Sequence, residues 1–336
     1  MNLNPAIFLA FLLVFAAACS RADRAPATPG SATEAPEATA NLPRPATTPA
    51  TVSPESPTPQ PTPIVTPAPT ARPEGLSFHF GRSVDAFDRS LIMRAVEVTR
   101  QVLSDESGVE PPAAVFAYES TQDLAEAFAE EALAQRWRAE GMAERMPRTI
   151  AEASYRGIVI NTGNAAWREM DATERLRVVA HEFVHVIQLE HAGLNAADGT
   201  FLGPNTLAPP AGPFWLLEGS AEVVSWLVLQ ELALGEYPNA LLLYAADSKG
   251  GPTDLSQMEA YFGFAQGGKQ GLGISVLATD YLLRSRSLDG LFAFWSEIER
   301  GAVWQTAFTR HFGLPPEFFY AAFREYFETT WAGRTN

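Results

Sequence analysis

His181-Glu182-Phe183-Val184-His185 lies in a segment whose apolar residues recur at helical spacing. On a helix, side chains four residues apart differ by about 40° in azimuth and about 6 Å along the axis, so both imidazoles can reach one ion. A catalytic zinc takes three protein ligands and leaves its fourth position to water, which a neighbouring carboxylate can deprotonate. His181 and His185 are therefore expected to bind Zn²⁺ with Glu182 as general base, and a third ligand must come from elsewhere in the chain.

His191 is one candidate for the third ligand. The spacing of His181, His185 and His191 matches the HExxHxxGxxH pattern of metzincins, in which a glycine breaks the helix so that the last histidine turns back to the ion. Gln188 occupies the glycine position here. An unbroken helix places residue 191 about 240° round from residue 185. We therefore expect His191 to be a surface or C-cap residue.

Glu218 is the stronger candidate, because a second helix packed across the first can present a carboxylate to the open side of the histidine pair. Residues 215–222, Trp-Leu-Leu-Glu-Gly-Ser-Ala-Glu, resemble the WLxEGxAE signature of gluzincin metallopeptidases, in particular peptidase MA-like domains related to the M1 aminopeptidases. The resemblance implies that Glu218 is the third zinc ligand. Glu222, one helical turn further on, is expected to orient a ligand histidine through a hydrogen bond; the alternative is a solvated helix residue.

Two departures from this family limit what the resemblance implies. The chain has no GxMEN-like segment before the HExxH helix, so a site that binds a free amino terminus is not supported. Peptidase MA-like chains often carry a tyrosine at the start of a later helix, and the corresponding helix is predicted to begin near the apolar Leu272. The donor that stabilises the transition state is therefore left open among four residues. These are Tyr237, Tyr244, Tyr261 and His311.

The periodicity of the sequence predicts an α+β fold, and the family resemblance implies that it is of the zincin-like type. It would have a small N-terminal mixed sheet with helices, the HExxH helix, and a mostly helical C-terminal half. Strands are predicted at 76–80, 113–118 and 154–161, and helices at 84–103, 121–138, 214–234, 272–283, 288–298 and 316–326. The last strand is expected to be a sheet edge that captures an extended peptide. The HExxH helix is predicted to begin at a capping box of Asp171 and Glu174 and to end at Gly193, followed by a long loop over 192–213.

The N-terminal residues 1–19 are typical of a bacterial lipoprotein signal peptide. The apolar run at 6–18 is too short for a membrane span of about 20 residues, and small residues precede Cys19. Cys19 is expected to be lipidated and to anchor the chain to the membrane. The alternative is an ordinary cleaved signal and a secreted protein. Because the chain has a single cysteine, a disulfide within it is excluded.

Residues 20–74 are predicted to be a disordered tether, and residues 75–336 the metallopeptidase domain. The tether holds just over half of the chain's 26 prolines and almost no large apolar residue, so it cannot bury enough surface to fold. Extended at about 3.1 Å per residue, it would reach roughly 170 Å from its anchor. The net charge of −15 argues against a nucleic acid partner.

The resulting expectation is an exported zinc peptidase on the outer face of the cell membrane, acting on a peptide or protein substrate. Two other functions use the same residues. One is a non-catalytic surface module that binds peptides or cell-wall material. The other is a zinc hydrolase of a non-peptide amide, which has the same ligands and differs only in its substrate.

Overall fold

The computed structural model describes residues 75–107, 113–120, 122–124, 149–154, 157–192, 212–284 and 286–331. The predicted signal segment, Cys19 and the tether lie outside the described residues. So do all but three residues of the helix predicted at 121–138, and all but three residues of the loop predicted at 192–213.

Four strands form one mixed sheet within the described part of the chain. They are β1 (Leu76–Phe80), β2 (Ala113–Tyr118), β3 (Ala151–Ser154) and β4 (Gly157–Asn161). Their order across the sheet is β1-β2-β4-β3. The pairs β1–β2 and β2–β4 are parallel and the pair β3–β4 is antiparallel. Every residue of β2 and β4 is buried, as expected for central strands covered on both faces.

The single edge strand predicted over 154–161 is wrong in two respects. The chain forms an antiparallel pair of strands there, and β4 lies inside the sheet between β2 and β3. The edge next to β4 is β3, which the sequence analysis did not identify as a strand. Its four residues, Ala-Glu-Ala-Ser, have low β-propensity, so their extended conformation depends on pairing with β4.

Two long helices pack against each other, and the second of them also contacts β3 and β4. They are α1 (Ala86–Ser107) and α3 (Ala172–His191), and the short helix α2 (Ala165–Glu169) lies between them in sequence. Ile92 and Val96 of α1 are completely buried in the hydrophobic core. Helix α3 contains the HExxH motif, and its apolar side buries residues of the shared core.

The start of α3 is fixed by a cap and by a buried ion pair. The side chain of Asp171 accepts a hydrogen bond from the backbone N–H of Glu174 at 2.9 Å, so the predicted N-cap is confirmed. One turn later, Arg175 donates to the buried Asp88 of α1 at 3.0 Å, and Trp167 of α2 donates to the other oxygen of Asp88 at 3.1 Å. The first turn of the motif helix is thereby tied to α1 and α2.

The C-terminal half of the described chain is mostly helical, as predicted, and the coarse α+β class is confirmed. Its α-helices are α4 (Phe214–Glu231), α5 (Tyr237–Asp247), α6 (Tyr261–Leu283), α7 (Leu288–Glu299), α8 (Trp304–Phe312) and α9 (Pro316–Thr330). A 3₁₀ helix, Leu255–Met258, precedes α6. None of the described helices is both long and apolar enough to cross a membrane.

Helix α6 begins eleven residues earlier than predicted, at Tyr261 instead of Leu272. The added part is rich in glycine, which predicts a loop. The backbone departs from helical geometry only at Gly268, where φ is 51° and ψ is −133°. Gly263 continues the helix where a side chain has no room: a Cβ there would lie 1.6 Å from the carbonyl oxygen of Gln257.

Helices α4 and α6 are in close contact at Gly219. A Cβ at this position would lie 2.3 Å from the carbonyl oxygen of Ser275 and 2.5 Å from Oγ1 of Thr279. The sequence analysis did not identify α6 as the helix that contacts this glycine. The close approach fixes the position of α4, and with it the position of the neighbouring Glu218.

Candidate metal centre

Helices α3 and α4 bring three potential ligands together. Nε2 of His181 and Nε2 of His185 lie 3.1 Å apart. Oε2 of Glu218 lies 3.4 Å from the first nitrogen and 3.6 Å from the second. These three residues form a group whose ligand atoms could hold one metal ion.

Glu222 determines the orientation of the first histidine. Its Oε2 lies 2.8 Å from Nδ1 of His181, and its Oε1 accepts hydrogen bonds from Arg177 and from the Tyr244 hydroxyl. The Tyr244 oxygen in turn accepts from Nε1 of Trp226 at 3.0 Å. Because an ionised carboxylate only accepts hydrogen bonds, the His181 proton must lie on Nδ1. The Nε2 lone pair of His181 therefore points towards Glu218 and His185.

Gln188 determines the orientation of the second histidine, His185, in the same way. Its Oε1 lies 2.7 Å from Nδ1 of His185, so this ring also has its proton on Nδ1 when it is neutral. The side-chain NH₂ of Gln188 donates to the carbonyl oxygen of Leu217 and to Oγ of Ser220, both at 3.0 Å. Gln188 is completely buried, so no water replaces these partners.

The geometry fits a bound cation. Three acceptor atoms, two imidazole nitrogens and one carboxylate oxygen, face one another, and Oε2 of Glu218 is buried without a hydrogen-bond partner. Burying acceptors in this way is costly unless something positive lies between them. Around a tetrahedral ion with bonds of about 2.0–2.2 Å, neighbouring ligand atoms are about 3.3–3.5 Å apart. The observed separations of 3.1, 3.4 and 3.6 Å are close to this value.

The pKa values of these groups also favour a positive charge at this point. Burial lowers the pKa of His181, but hydrogen bonds and charges from Glu218 and Glu222 outweigh it, so the pKa is well above its usual range. Burial raises the pKa of Glu218, but His185 and His181 outweigh it, so this pKa is well below its usual range. Burial also raises the pKa of Glu222, but the charges of Arg177 and His181 outweigh it, so this pKa is lowered to about 2. The raised pKa of His181 and the lowered pKa of Glu218 both mean that positive charge is stabilised between these groups.

The predicted base, Glu182, is held against the edge of the sheet. Its Oε2 accepts a hydrogen bond of 2.7 Å from the backbone N–H of Ala153 in β3. Residue 182 follows a ligand histidine directly, and its charge contributes to the raised pKa of His181. The carboxylate thus connects the motif helix to strand β3.

His191 is not part of the three-residue group, as expected, but it is neither a surface residue nor the C-cap, which is Ala192. It is the last residue of α3 and is 6% exposed. Its Nδ1 lies 3.0 Å from Oγ of Ser296, and its ring packs against Phe292. Burial lowers the pKa of His191.

The sequence analysis did not predict the contacts that three residues make at the site. These residues are Gln188, Arg177 and Tyr244. Gln188 was considered only as the residue that replaces a metzincin glycine, although its position three residues after His185 places it on the same face of the helix. That spacing was the available signal. Arg177 lies four residues before His181, and this spacing is a similar signal that the two residues share a helix face. Tyr244 reaches Glu222 from α5, and no local pattern indicates this contact.

Three of the four residues considered as transition-state donors contact carboxylates in the described part of the chain. The hydroxyl of Tyr237 donates to Asp280 at 3.1 Å, and that of Tyr244 donates to Glu222. Nε2 of His311 lies 2.6 Å from Glu297 of α7. Tyr261 is the first residue of α6. Helix α6 thus begins at a tyrosine, eleven residues before the predicted position.

Comparisons of the chain with family models, with curated proteins and with solved structures found no match.

Proposed function

We propose that this chain is a zinc-dependent peptidase of the gluzincin type with a zincin-like fold. The observation that carries the proposal is the convergence of Nε2 of His181, Nε2 of His185 and Oε2 of Glu218 from two helices. Both rings have their Nδ1 atoms engaged elsewhere, and the carboxylate oxygen has no hydrogen-bond partner. All three atoms are therefore available to one ion.

Zinc is the metal that this ligand set suits best. Two imidazoles and one carboxylate are the three-ligand set of a catalytic zinc with an open fourth position. Calcium and magnesium prefer oxygen ligands only, and a structural zinc site would have four protein ligands. His181 and His185 would each bind through Nε2, and Glu218 through Oε2.

Catalysis would use the general base on the same helix as the histidines. A zinc ion bound there lowers the pKa of a bound water towards 7 and polarises a carbonyl oxygen. Glu182 would take the proton from the attacking water and return it to the leaving nitrogen of the substrate. The Ala153 N–H holds one oxygen of Glu182, so the other oxygen carries the proton between the two positions. Glu222 and Gln188 would keep the ligand rings in place.

The substrate would be a peptide that lies along β3. In this antiparallel pair, the Asn161 N–H donates to the Ile150 carbonyl oxygen at 2.8 Å. By alternation, the backbone groups of Ala151 and Ala153 point away from β4. The Ala153 N–H is used by Glu182, which leaves the N–H and C=O of Ala151 and the C=O of Ala153 for an extended peptide.

Tyr261 would be the donor that stabilises the developing oxyanion. The hydroxyls of Tyr237 and Tyr244 donate to carboxylates, and His311 is bound to Glu297. Tyr261 is the first residue of α6, and the family resemblance implies a tyrosine donor at a helix start. A phenol hydrogen bond to an oxyanion in a site that excludes water is an effective stabilising interaction.

The location of the chain is also a proposal, based on residues 1–74. A lipidated Cys19 would attach the protein to the outer face of the cell membrane, and the tether at 20–74 would let the domain reach substrates at a distance. If Cys19 is not lipidated, the protein would be secreted.

The experiment is a peptide-library cleavage assay on the full-length chain, together with metal analysis. We expect cleavage that stops when a chelator removes the metal and returns when zinc is added back. Bound zinc without cleavage of any peptide would favour the binding module. Cleavage of non-peptide amides alone would favour the other hydrolase, and absence of bound zinc would refute the proposal.

A further inference from the structure

We propose that Gln188 is a positioning residue of the metal site, which fixes the ring of His185 and at the same time joins α3 to the part of α4 that contains Glu218. This inference rests on the proposed function, because it assumes that the site binds zinc. It concerns how the ligands are held in place and does not depend on which substrate is cleaved.

The orientation of the Gln188 amide follows from its partners. The carbonyl oxygen of Leu217 can only accept a hydrogen bond, so the group that faces it at 3.0 Å must be the NH₂ of Gln188. The second amide hydrogen points to Oγ of Ser220, which donates its own proton to the carbonyl oxygen of Leu216. The amide oxygen must therefore face His185, and the opposite orientation would place two acceptors against each other.

This orientation determines the state of His185. An amide oxygen accepts from the ring N–H at 2.7 Å, so the neutral ring has its proton on Nδ1 and its lone pair on Nε2. Nε2 is the atom that lies next to His181 and Glu218. Without Gln188, the ring could adopt the other tautomer or rotate, and either change would remove Nε2 as a ligand.

The same side chain also determines the distance between the two helices. Its hydrogen bonds to Leu217 and Ser220 flank Glu218 on both sides in the sequence of α4. One residue thus positions a ligand on each helix. Because the amide is neutral, it does this without adding a buried charge beside Glu218 and Glu222.

The test is the zinc affinity of the full-length chain, measured by competition with a chelator. Gln188→Met keeps the length of the side chain and removes its hydrogen bonds, and we expect it to bind zinc about 10- to 100-fold more weakly than the wild type. Gln188→Glu keeps an acceptor for His185 and should bind zinc more tightly than Gln188→Met. A purely structural role would not distinguish these two variants in this way.

Val228→Ala is the matched control. Val228 is completely buried in α4, about 15 Å along the helix from Glu218, so its truncation weakens packing without touching a ligand. We expect its zinc affinity to equal that of the wild type. If Gln188→Met does not fold, Ser220→Ala removes one anchor of the amide and should weaken zinc binding by about tenfold or less.

The outcomes are distinct. The inference is overturned if Gln188→Met, or Ser220→Ala in its place, binds zinc as tightly as the wild type while the wild type does bind it. It is also overturned if Val228→Ala loses as much affinity as Gln188→Met. If the wild-type chain binds no zinc, the proposed function fails, and the role of Gln188 fails with it.

Discussion

Nε2 of His181 and Nε2 of His185 face each other at 3.1 Å, while the Nδ1 atoms of both rings are bound to acceptors on other residues. When both rings are neutral, neither Nε2 atom has a proton, and a carboxylate oxygen of Glu218 is the third atom of the group. A cation between these atoms removes their mutual repulsion. The buried contacts made by Glu222 and Gln188 are what keep the two nitrogens in this position.

The first prediction concerns the general base. Glu182→Gln should lower kcat by about 10²–10⁴-fold, because the amide cannot take a proton from water. Zinc content should be unchanged, since Glu182 is not a ligand. Glu231→Gln, on the exposed end of α4, is the control and should leave both quantities unchanged. Full turnover by the Glu182→Gln enzyme would exclude the assigned role.

The second prediction concerns the oxyanion donor. Tyr261→Phe should lower kcat by about 10²–10³-fold, because it removes one hydrogen bond made in the transition state. Tyr237→Phe removes a hydroxyl that donates to Asp280 and should leave kcat close to that of the wild type. Steady-state kinetics on one peptide substrate compares the two variants. If Tyr261→Phe and the wild type have equal kcat values, Tyr261 is not the oxyanion donor.

The third prediction concerns the packing that positions Glu218. Gly219→Ala should lower the free energy of unfolding by about 1–3 kcal/mol, because its Cβ would meet the Ser275 carbonyl oxygen at 2.3 Å. It should also weaken zinc binding, since α4 must move. In Gly290→Ala the nearest atom would lie 3.7 Å away, and the higher helix propensity of alanine should stabilise the protein by up to about 1 kcal/mol. Denaturant unfolding measures both variants, and equal stability would contradict the close helix contact.

The fourth prediction concerns the anchor. Cys19→Ser should release the protein from the membrane fraction, because the acyl chains that hold it there contribute about 0.8 kcal/mol per buried CH₂. Cell fractionation and labelling with a fatty acid test this directly. If the variant stays in the membrane fraction as the wild type does, Cys19 is not the attachment site.

Much of the site could be predicted from the sequence because its ligands follow local rules. The spacing of His181 and His185 places both on one face of a helix, and the cap at Asp171 fixes where that helix begins. The residues that form hydrogen-bond networks around the candidate ligands were harder to predict. Tyr244 approaches Glu222 from a separate helix, and that contact exists only after the chain has folded.

The errors in the prediction of the fold also have physical causes. Strand β3 consists of residues with low β-propensity, and pairing with β4 overrides that preference. The glycines at the start of α6 lower the helix propensity of this segment, whereas Gly263 allows the helix to pass close to the backbone of Gln257. In both cases tertiary contacts decided the local conformation.

Zinc titration of the full-length chain with metal analysis tests the central claim most directly. The wild type should bind one zinc ion per chain, Glu218→Ala should lose most of its affinity, and Glu231→Ala on the same helix should bind as the wild type does. A wild-type chain that takes up no zinc, or a Glu218→Ala chain that binds it equally well, would contradict the proposed ligand set.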